Sequence, residues 1–220
     1  MTAGDSDYGP LDFAKDSEVP RETLERLTNH ARLLVERNAH LNLVADSTLP
    51  DMWRRHFLDS AQLASLVPDT ARTLVDLGSG AGFPGMVLAI ILGPLRPGLK
   101  VHLVDATLKK CRFLEEVASA TQAPVVVHWS RAEDVPDLKA DVVTARALAP
   151  LTKLLRLAQP FFGPATTGLF LKGRAAASEL TEARESWRLA AETFPSRSDP
   201  SGSILRVTGL MPWRKPRIPS

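Results

Sequence analysis

Closely spaced glycines after a short apolar run are the first part of this sequence that could carry out chemistry. Residues 73–85 read T-L-V-D-L-G-S-G-A-G-F-P-G, and the apolar residues 86–92 follow directly. A strand, a glycine turn and a helix in this order begin a doubly wound α/β unit. Glycine suits the turn because positive φ angles and a closely bound ligand both exclude a Cβ atom. The segment therefore predicts a nucleotide-type binding site.

Two details of this segment bear on which cofactor it binds. Residues 80–85 fit the weak G-x-G-x-x-G pattern, which favours a dinucleotide. However, Asp76 extends the pattern to D-x-G-x-G-x-G, and Pro84 removes an N–H donor that a pyrophosphate would need. The extended pattern resembles motif I of the class I S-adenosylmethionine (SAM) methyltransferases. We therefore expect the loop to bind SAM through Gly78, Ser79, Gly80, Gly82 and Phe83.

Polar residues at the ends of the next two predicted strands are further candidates, because ligands of open α/β sheets bind beyond the carboxyl ends of the strands. Asp105 ends the second strand. Its carboxylate can accept hydrogen bonds from a ribose diol or cap the helix that follows. After the third strand, the backbone of Ala132 and Glu133 can contact an adenine edge or form a solvated turn.

Cationic residues follow the fourth and fifth predicted strands. Arg146 lies among small apolar residues, where a buried guanidinium needs a partner. It can hold a methionine carboxylate, position the substrate or form a structural ion pair. Lys172 and Arg174 lie on the same rim, which favours an anionic polymer as the substrate over a small neutral molecule.

The residues before the first strand predict an added helical layer. Apolar residues recur at helical spacing within 24–34, and a second helix is predicted from about residue 47 to residue 66. On this second helix His56, Asp59 and Ser60 can share one face. Taken alone, His56 is more commonly a buried structural histidine.

The order of the predicted elements indicates a Rossmann-like α/β fold with a mostly parallel seven-stranded sheet and an N-terminal helical extension. The last two strands lack a helix between them and predict an antiparallel hairpin. The predicted strands are 74–77, 101–104, 125–129, 141–145, 168–171, 192–194 and 203–210, with a helix at 175–190 before the last two. The predicted divisions are a flexible acidic leader (1–18), the helical layer (19–70), a SAM-dependent methyltransferase core (71–211) and a basic tail (212–220).

Composition limits the classes of protein that fit. The net charge of +2 is too small to indicate a nucleic-acid partner by itself. The single cysteine, Cys111, excludes an internal disulfide and a cysteine-rich metal site, and we expect no bound metal. The longest apolar run ends at Leu92 and is too short to span a membrane, and the acidic N-terminus lacks a signal-peptide pattern. We expect a cytoplasmic monomer that does not bind a membrane.

Motifs that are missing narrow the reaction. The sequence has no second cysteine for a pyrimidine carbon-5 mechanism, no N-P-P-Y or D-P-P-Y after the fourth strand, and no P-loop lysine. A nucleophile with a free lone pair, such as guanine N7, would need no strong base. Catalysis would then rest mainly on proximity and orientation.

Taken together, these motifs make the sequence similar to the bacterial 16S ribosomal RNA guanine-N7 methyltransferases, the family of small-subunit methyltransferase G, also called glucose-inhibited division protein B. The resemblance covers about residues 32–210. It rests on N-A-H-L-N from Asn38, R-R-H-F-L-D-S from Arg54, D-L-G-S-G-A-G-F-P-G from Asp76, R-A-E from Arg131, T-A-R-A from Thr144 and L-K-G from Leu171. Ala106 stands where the family more often has serine, and so does Ala145.

The resemblance implies SAM binding at Gly78, Phe83, Ala132, Glu133 and Arg146, and methylation of N7 of guanosine 527 in 16S rRNA. The partner would be 16S rRNA, the small ribosomal subunit or an assembly intermediate. The candidate catalytic residues are Arg146, His56 and Asp59, and the candidate substrate-binding residues are Lys172, Arg174, Arg54 and Asn42. Three alternatives stay open: a methyltransferase acting on another RNA or a small molecule, a binding module with a vestigial cofactor site, and, more distantly, an NAD dehydrogenase.

Overall fold

A computed structural model describes residues 8–135 and 137–213. It contains a seven-stranded sheet in the order β3-β2-β1-β4-β5-β7-β6. The strands are β1 (Thr73–Leu77), β2 (Lys100–Asp105), β3 (Val125–Trp129), β4 (Ala140–Arg146), β5 (Phe162–Lys172), β6 (Trp187–Pro195) and β7 (Ser203–Pro212). The first five strands pair in parallel, whereas β7 is antiparallel to both of its neighbours. The predicted Rossmann-like sheet with a closing hairpin is confirmed.

Helices cover both faces of this sheet. They are α1 (Pro10–Ser17), α2 (Arg21–Leu41), α3 (Asp59–Ala61), α4 (Gly85–Leu92), α5 (Leu108–Thr121), α6 (Leu151–Ala158) and α7 (Ala176–Ala183). One core joins the N-terminal helices to α4, α5 and one face of the sheet, and a second core joins α6 and α7 to the other face. In the part of the chain that the structure describes, no helix combines the length and the apolar character needed to cross a membrane.

The N-terminal region is more regular than the sequence predicted. Instead of an irregular leader, residues 10–17 form α1, because Phe13 is fully buried against the Trp53 and Phe57 rings. The buried ring supplies apolar contact that stabilises this short helix, which the polar composition of the segment did not predict. The rest of the predicted leader, residues 1–7, lies outside the described residues.

The predicted helix from 47 to 66 is divided into short pieces. A 3-10 turn at Asp46–Thr48 precedes a π-helical turn at Trp53–Leu58, which continues into α3 and a 3-10 turn at Ala64–Leu66. The side chain of Asn38 orders the first bend, since it accepts the Val44 N–H and donates to Asp46. This bend lets the segment fold back over the carboxyl ends of the strands.

The C-terminal boundaries also differ from the prediction. The helix predicted at 175–190 ends at Ala183, and β6 begins at Trp187 and is much longer than the predicted 192–194. Burial alternates along much of β6, and its backbone pairs with β7, so sheet pairing prevails over the helical spacing of the apolar residues. The predicted tail begins within β7, which reaches Pro212, and residues 214–220 lie outside the described residues.

The order of the strands places the site. The chain moves outward from β1 to β3 on one side and then returns to β4 on the other side of β1. The carboxyl ends of β1 and β4 therefore flank the switch point, where ligands of such sheets bind. The glycine loop follows β1, and Arg146 ends β4.

Candidate active site

The loop between β1 and α4 has the backbone that its glycines predict. Gly78, Gly80 and Gly82 have φ angles of 68°, 53° and 91°, which L residues rarely adopt. Space is the limit at Gly85, where a Cβ atom would lie 2.6 Å from the Cβ of Asp76. Glycine is therefore strongly favoured at Gly78 and Gly82, where both space and backbone angle limit a side chain, and at Gly85, where space does, and less strictly at Gly80.

Asp76 ties this loop to β4. Its buried carboxylate accepts the Thr144 hydroxyl at 2.7 Å and the Gly85 N–H at 3.2 Å. Burial raises the pKa of Asp76 to about 6. Because Thr144 lies two residues before Arg146 on the same strand, the motif aspartate fixes the glycine loop relative to the strand that carries the arginine.

Asp105 supports the same loop from β2. One carboxylate oxygen accepts the Gly80 N–H at 3.0 Å, and the other accepts the Thr107 N–H at 2.8 Å at the start of α5. The N-cap of α5 is Thr107, so Asp105 does not cap the helix as the sequence allowed, and its bond to the Thr107 N–H instead forms the turn before α5. Each carboxylate oxygen can accept a second hydrogen bond, so the same group also suits a ribose diol.

The turn after β3 lies next to Asp105 at this edge of the sheet, since β3 pairs with β2. Ala132–Asp134 form a 3-10 turn, in which Ala132 packs against the core on the α6 side and Glu133 is exposed. The turn and Asp105 therefore lie at the ends of neighbouring strands, at the same edge of the sheet.

Phe83 connects the glycine loop to the N-terminal helical layer. Its buried ring stacks with the His30 ring at a centroid distance of 5.2 Å and with the His56 ring at 5.1 Å. His30 is fully buried on α2, and its Nε2 hydrogen-bonds the Ala81 carbonyl at 2.8 Å. The layer therefore contacts the loop directly and contributes to the site.

Arg146 has the partners that its burial requires. Its guanidinium donates to the Arg55 carbonyl at 3.0 Å and to His56 Nδ1 at 2.9 Å, and it lies 3.6 Å from an oxygen of Asp59. The guanidinium also lies 4.9 Å from the centre of the Phe83 ring. Burial lowers the pKa of Arg146 and Asp59 opposes that shift, but the group stays charged because arginine does not deprotonate in proteins.

The hydrogen bonds of His56 define its tautomer. Thr48 donates a hydrogen bond to the Ala45 carbonyl, so its hydroxyl oxygen accepts one from the N–H at His56 Nε2, at 2.8 Å. Nδ1 then carries the lone pair that accepts from Arg146. Burial and the Arg146 charge lower the pKa of His56 to about 3. His56 is therefore neutral at physiological pH and orients Arg146.

Asp59 links this cluster to the loop between β6 and β7. One of its oxygens accepts the Ser198 hydroxyl at 2.6 Å and the Gln62 amide at 3.0 Å. Burial raises the pKa of Asp59. Ser60, predicted to share the face of His56 and Asp59, instead donates its hydroxyl back to the His56 carbonyl.

A cleft of about 940 Å³ opens beside this cluster. His56, Asp59 and Arg146 lie in its wall, together with the β6–β7 loop at 198–202. Two exposed arginines also line the cleft: Arg55 and Arg174. Its lining balances the basic residues Arg55, Arg146, Lys172 and Arg174 against the acidic residues Asp51, Asp59, Glu179 and Asp199, so its size rather than a net positive charge suits a nucleotide.

The predicted substrate-binding residues divide into two groups. Lys172 and Arg174 line the cleft, but Lys172 is nearly buried and forms an ion pair with Glu179 at 2.6 Å. Arg54 lies outside the cleft wall, with its guanidinium 4.3 Å from the centre of the Tyr8 ring. Asn42 is an exposed residue with φ of 48° that ends α2, and it does not line the cleft.

Sequence reasoning missed two residues that the structure brings to this region. His30 had a signal, because it lies three residues after Leu27 and four before Leu34 on the apolar face of α2. Ser198 had none, because it lies in a loop of ordinary composition. Their roles depend on contacts between distant segments.

A matching family profile and two closely similar proteins carry the same description. The profile described as rRNA small subunit methyltransferase G matches residues 23–199. Ribosomal RNA small subunit methyltransferase G of Parvibaculum lavamentivorans is 53% identical over 90% of this chain and 88% of its own length. The protein of the same name from Rhodospirillum centenum is 53% identical over 93% of both chains. Among solved structures, a mutant of MtNAS in complex with S-adenosylmethionine has a TM-score of 0.56 and 16% identity, covering 93% of this chain and 85% of its own, which reflects the fold alone.

Proposed function

Because the chain belongs to the rRNA small subunit methyltransferase G family, we propose that it transfers a methyl group from SAM to N7 of a guanosine in 16S rRNA, at position 527. One observation carries this proposal: the glycine loop contacts the Arg146 cluster through Phe83, so the candidate cofactor loop lies next to a nucleotide-sized cleft that His56 and Arg146 line. Arg55 and Arg174 interact electrostatically with Asp199 in the cleft lining, and because both are exposed they can also contact the phosphates of a long substrate, which a neutral small molecule lacks.

The residues around the glycine loop fit SAM. The positive φ angles of Gly78, Gly80 and Gly82 leave backbone where a ligand can approach closely. Asp105 has acceptor capacity for a ribose, and the turn at Ala132–Asp134 follows the neighbouring strand. When bound, SAM supplies a methyl group activated by a sulfonium charge. Ser79 shapes the loop, since its hydroxyl donates to the Asp76 carbonyl.

The side chains of the cleft suit a reaction that moves no proton from the nucleophile. Guanine N7 has a free lone pair, and the neutral His56 hydrogen-bonds at both ring nitrogens. We propose that His56 and Asp59 hold Arg146 in place and that Arg146 orients the cofactor carboxylate beside the base. The Asp59 carboxylate also favours the positive charge that develops on the guanine ring.

We propose that rRNA phosphates contact the exposed Arg55 and Arg174, whereas Lys172 mainly stabilises the start of α6 through Glu179, which accepts the Leu151 N–H. The helical layer (19–70) and the core (71–211) act as one unit, because Arg146 and Phe83 contact residues of the layer. We further propose a cytoplasmic monomer, since an rRNA substrate is found there. Light scattering of the purified protein tests the monomer.

The proposal is tested by methylation of 16S rRNA, both naked and within the small subunit, with the product mapped by primer extension. We expect m7G at one guanosine in at least one of the two substrates. The matched control is rRNA in which adenosine replaces that guanosine. Absence of m7G from both substrates, in a preparation that binds SAM, would contradict the proposal.

A further inference from the structure

A single peptide group of the glycine loop is held from two sides. The peptide between Ala81 and Gly82 donates its N–H to the Ser79 carbonyl at 2.7 Å, within the loop itself. Its carbonyl oxygen accepts from His30 at 2.8 Å, from a residue that lies 51 positions earlier in the chain. The orientation of this peptide therefore depends on both the loop and α2.

Besides ring contacts with Phe57, Phe83 and Phe113, the described contacts of His30 include only this one hydrogen bond. The imidazole is fully buried, and its Nδ1 has no hydrogen-bond partner. Burial lowers the pKa of His30 to about 4, so the ring is neutral and carries one proton. Because Ala81 offers only an acceptor, this proton lies on Nε2.

The loop has little freedom around this contact. A Cβ atom at Gly82 would lie 2.7 Å from the Cβ of Met86 and 3.2 Å from the His30 ring. The His30 ring also stacks with Phe83, the next loop residue, with an interplanar angle of 19°. His30 thus contacts Ala81 and Phe83 and would also meet any side chain placed at Gly82 between them.

We infer that His30 is a positioning residue for the SAM site: its hydrogen bond to Ala81 holds the glycine loop in the binding conformation before the cofactor arrives. The inference rests on the proposed function only in taking SAM as the ligand. A loop held in its bound conformation loses less entropy on binding, so removal of the hydrogen bond lowers affinity for the cofactor. The N-terminal layer would then set cofactor affinity although its residues lie far from the glycines in sequence.

Two substitutions separate the hydrogen bond from the packing. His30→Phe keeps a ring that can stack with Phe83 but removes the donor. His30→Gln keeps an N–H the same number of bonds from Cβ but removes the ring. If the hydrogen bond positions the loop, His30→Phe raises the Kd of SAM at least tenfold, and His30→Gln raises it less than threefold. Loss of the ring should make His30→Gln the less stable of the two proteins in urea. His30→Phe should therefore have the weaker affinity for SAM, and His30→Gln the lower stability.

Calorimetric titration of each full-length variant with SAM, beside urea unfolding, supplies both readouts without rRNA. A Kd within twofold of the unsubstituted protein for His30→Phe would overturn the inference. Equal losses of affinity in both variants would also overturn it, because the ring alone would then explain the effect. An unsubstituted protein that binds SAM but fails to methylate 16S rRNA would instead contradict the proposed function and leave this inference standing.

Discussion

Two histidines stack with the same phenylalanine and serve different sides of the site. His30 lies beneath the glycine loop, is fully buried, and makes one hydrogen bond, to a loop carbonyl. His56 lies in the cleft wall and uses both ring nitrogens, one for Thr48 and one for Arg146. Both stack with Phe83 at nearly the same distance. The residue type is the same, and the partner decides the role.

This comparison separates a cofactor side from a cleft side that meet at Phe83. The cofactor side consists largely of one continuous segment, and its geometry follows from glycines and from loop N–H groups that donate to the carboxylates of Asp76 and Asp105. The cleft side is assembled from Arg146, the segment around residue 56 and the β6–β7 loop, and its geometry follows from buried charge. The two sides should respond differently to substitution.

The largest loss of methylation rate should follow substitution of Arg146, at the centre of the cleft side. Arg146→Ala removes the cation that pairs with Asp59 and leaves that buried carboxylate without its charged partner. Breaking a buried ion pair costs about 3–5 kcal/mol. If about 3 kcal/mol of this bears on the transition state, methylation at saturating SAM falls at least about a hundredfold. Single-turnover methylation of the rRNA substrate measures this decrease in rate.

Arg146→Lys is the matched variant, because it keeps the charge but lacks the planar fork that reaches His56 and the Arg55 carbonyl together. We expect it to recover only part of the lost rate. Near-normal turnover of Arg146→Ala would assign the arginine a structural role and remove the distinction between the two sides.

The next largest effect should be a loss of SAM affinity, caused by a substitution in the cofactor side alone. Gly82→Ala introduces a Cβ atom at a φ of 91° and against the Met86 side chain. Such backbone strain costs about 1–3 kcal/mol. At about 2 kcal/mol, the Kd of SAM rises roughly thirtyfold, with the affinity for rRNA little changed. Calorimetry with SAM measures it, and Gly163→Ala, whose new Cβ meets only Thr166 at 3.7 Å, is the control.

An unchanged SAM affinity in Gly82→Ala would mean that the loop adapts without cost. A parallel loss of rRNA affinity would mean that the two sides behave as one.

The comparison also shows what the sequence could predict. The glycine loop was predictable because its constraint is local: positive φ angles demand glycine wherever the turn occurs. The need of Arg146 for a partner was predictable from its apolar neighbours, but the identity of that partner was not. His56 lies 90 residues from Arg146, and a contact at that separation depends on how the N-terminal layer packs.

Local patterns also misled where tertiary pairing prevailed. The spacing of Leu180, Ala183 and Trp187 suits a helix, yet Trp187 begins a strand because β7 offers its backbone for pairing. In the same way, the polar composition of 1–18 concealed α1, which depends on the single buried ring of Phe13. A pattern confined to one segment cannot report a partner elsewhere in the chain.

A pH series sharpens the role of His30. Its pKa is about 4 in the folded protein and about 6.5 in the unfolded chain. The unfolded state therefore binds more protons between these values, and the stabilising contribution is complete above pH 6.5 and falls as the pH decreases toward 4. Relative to His30→Phe, the unsubstituted protein should lose about 2 kcal/mol of unfolding free energy between pH 7 and pH 5.

Urea unfolding of both proteins at the two pH values measures this difference. The titration of other groups, such as the raised pKa of Asp76, is common to both proteins and cancels. A difference that is independent of pH would show that His30 is not buried as a neutral ring, and would weaken its assignment to the cofactor side.

The smallest effect should be a loss of rRNA affinity after substitution of Arg174, at the rim of the cleft side. Arg174 is exposed, so Arg174→Ala should leave stability unchanged and weaken rRNA binding about threefold, with the slope of log K against log salt reduced by about one. Lys172→Met is the informative contrast, because it removes the ion pair with Glu179 and should lower stability more than rRNA affinity. Filter binding over a salt series, beside urea unfolding, measures both. Lys172→Met could instead reduce the slope of log K against log salt as much as Arg174→Ala does. In that case Lys172 would contact a phosphate despite its ion pair, and the rRNA-binding surface would include residues deeper in the cleft.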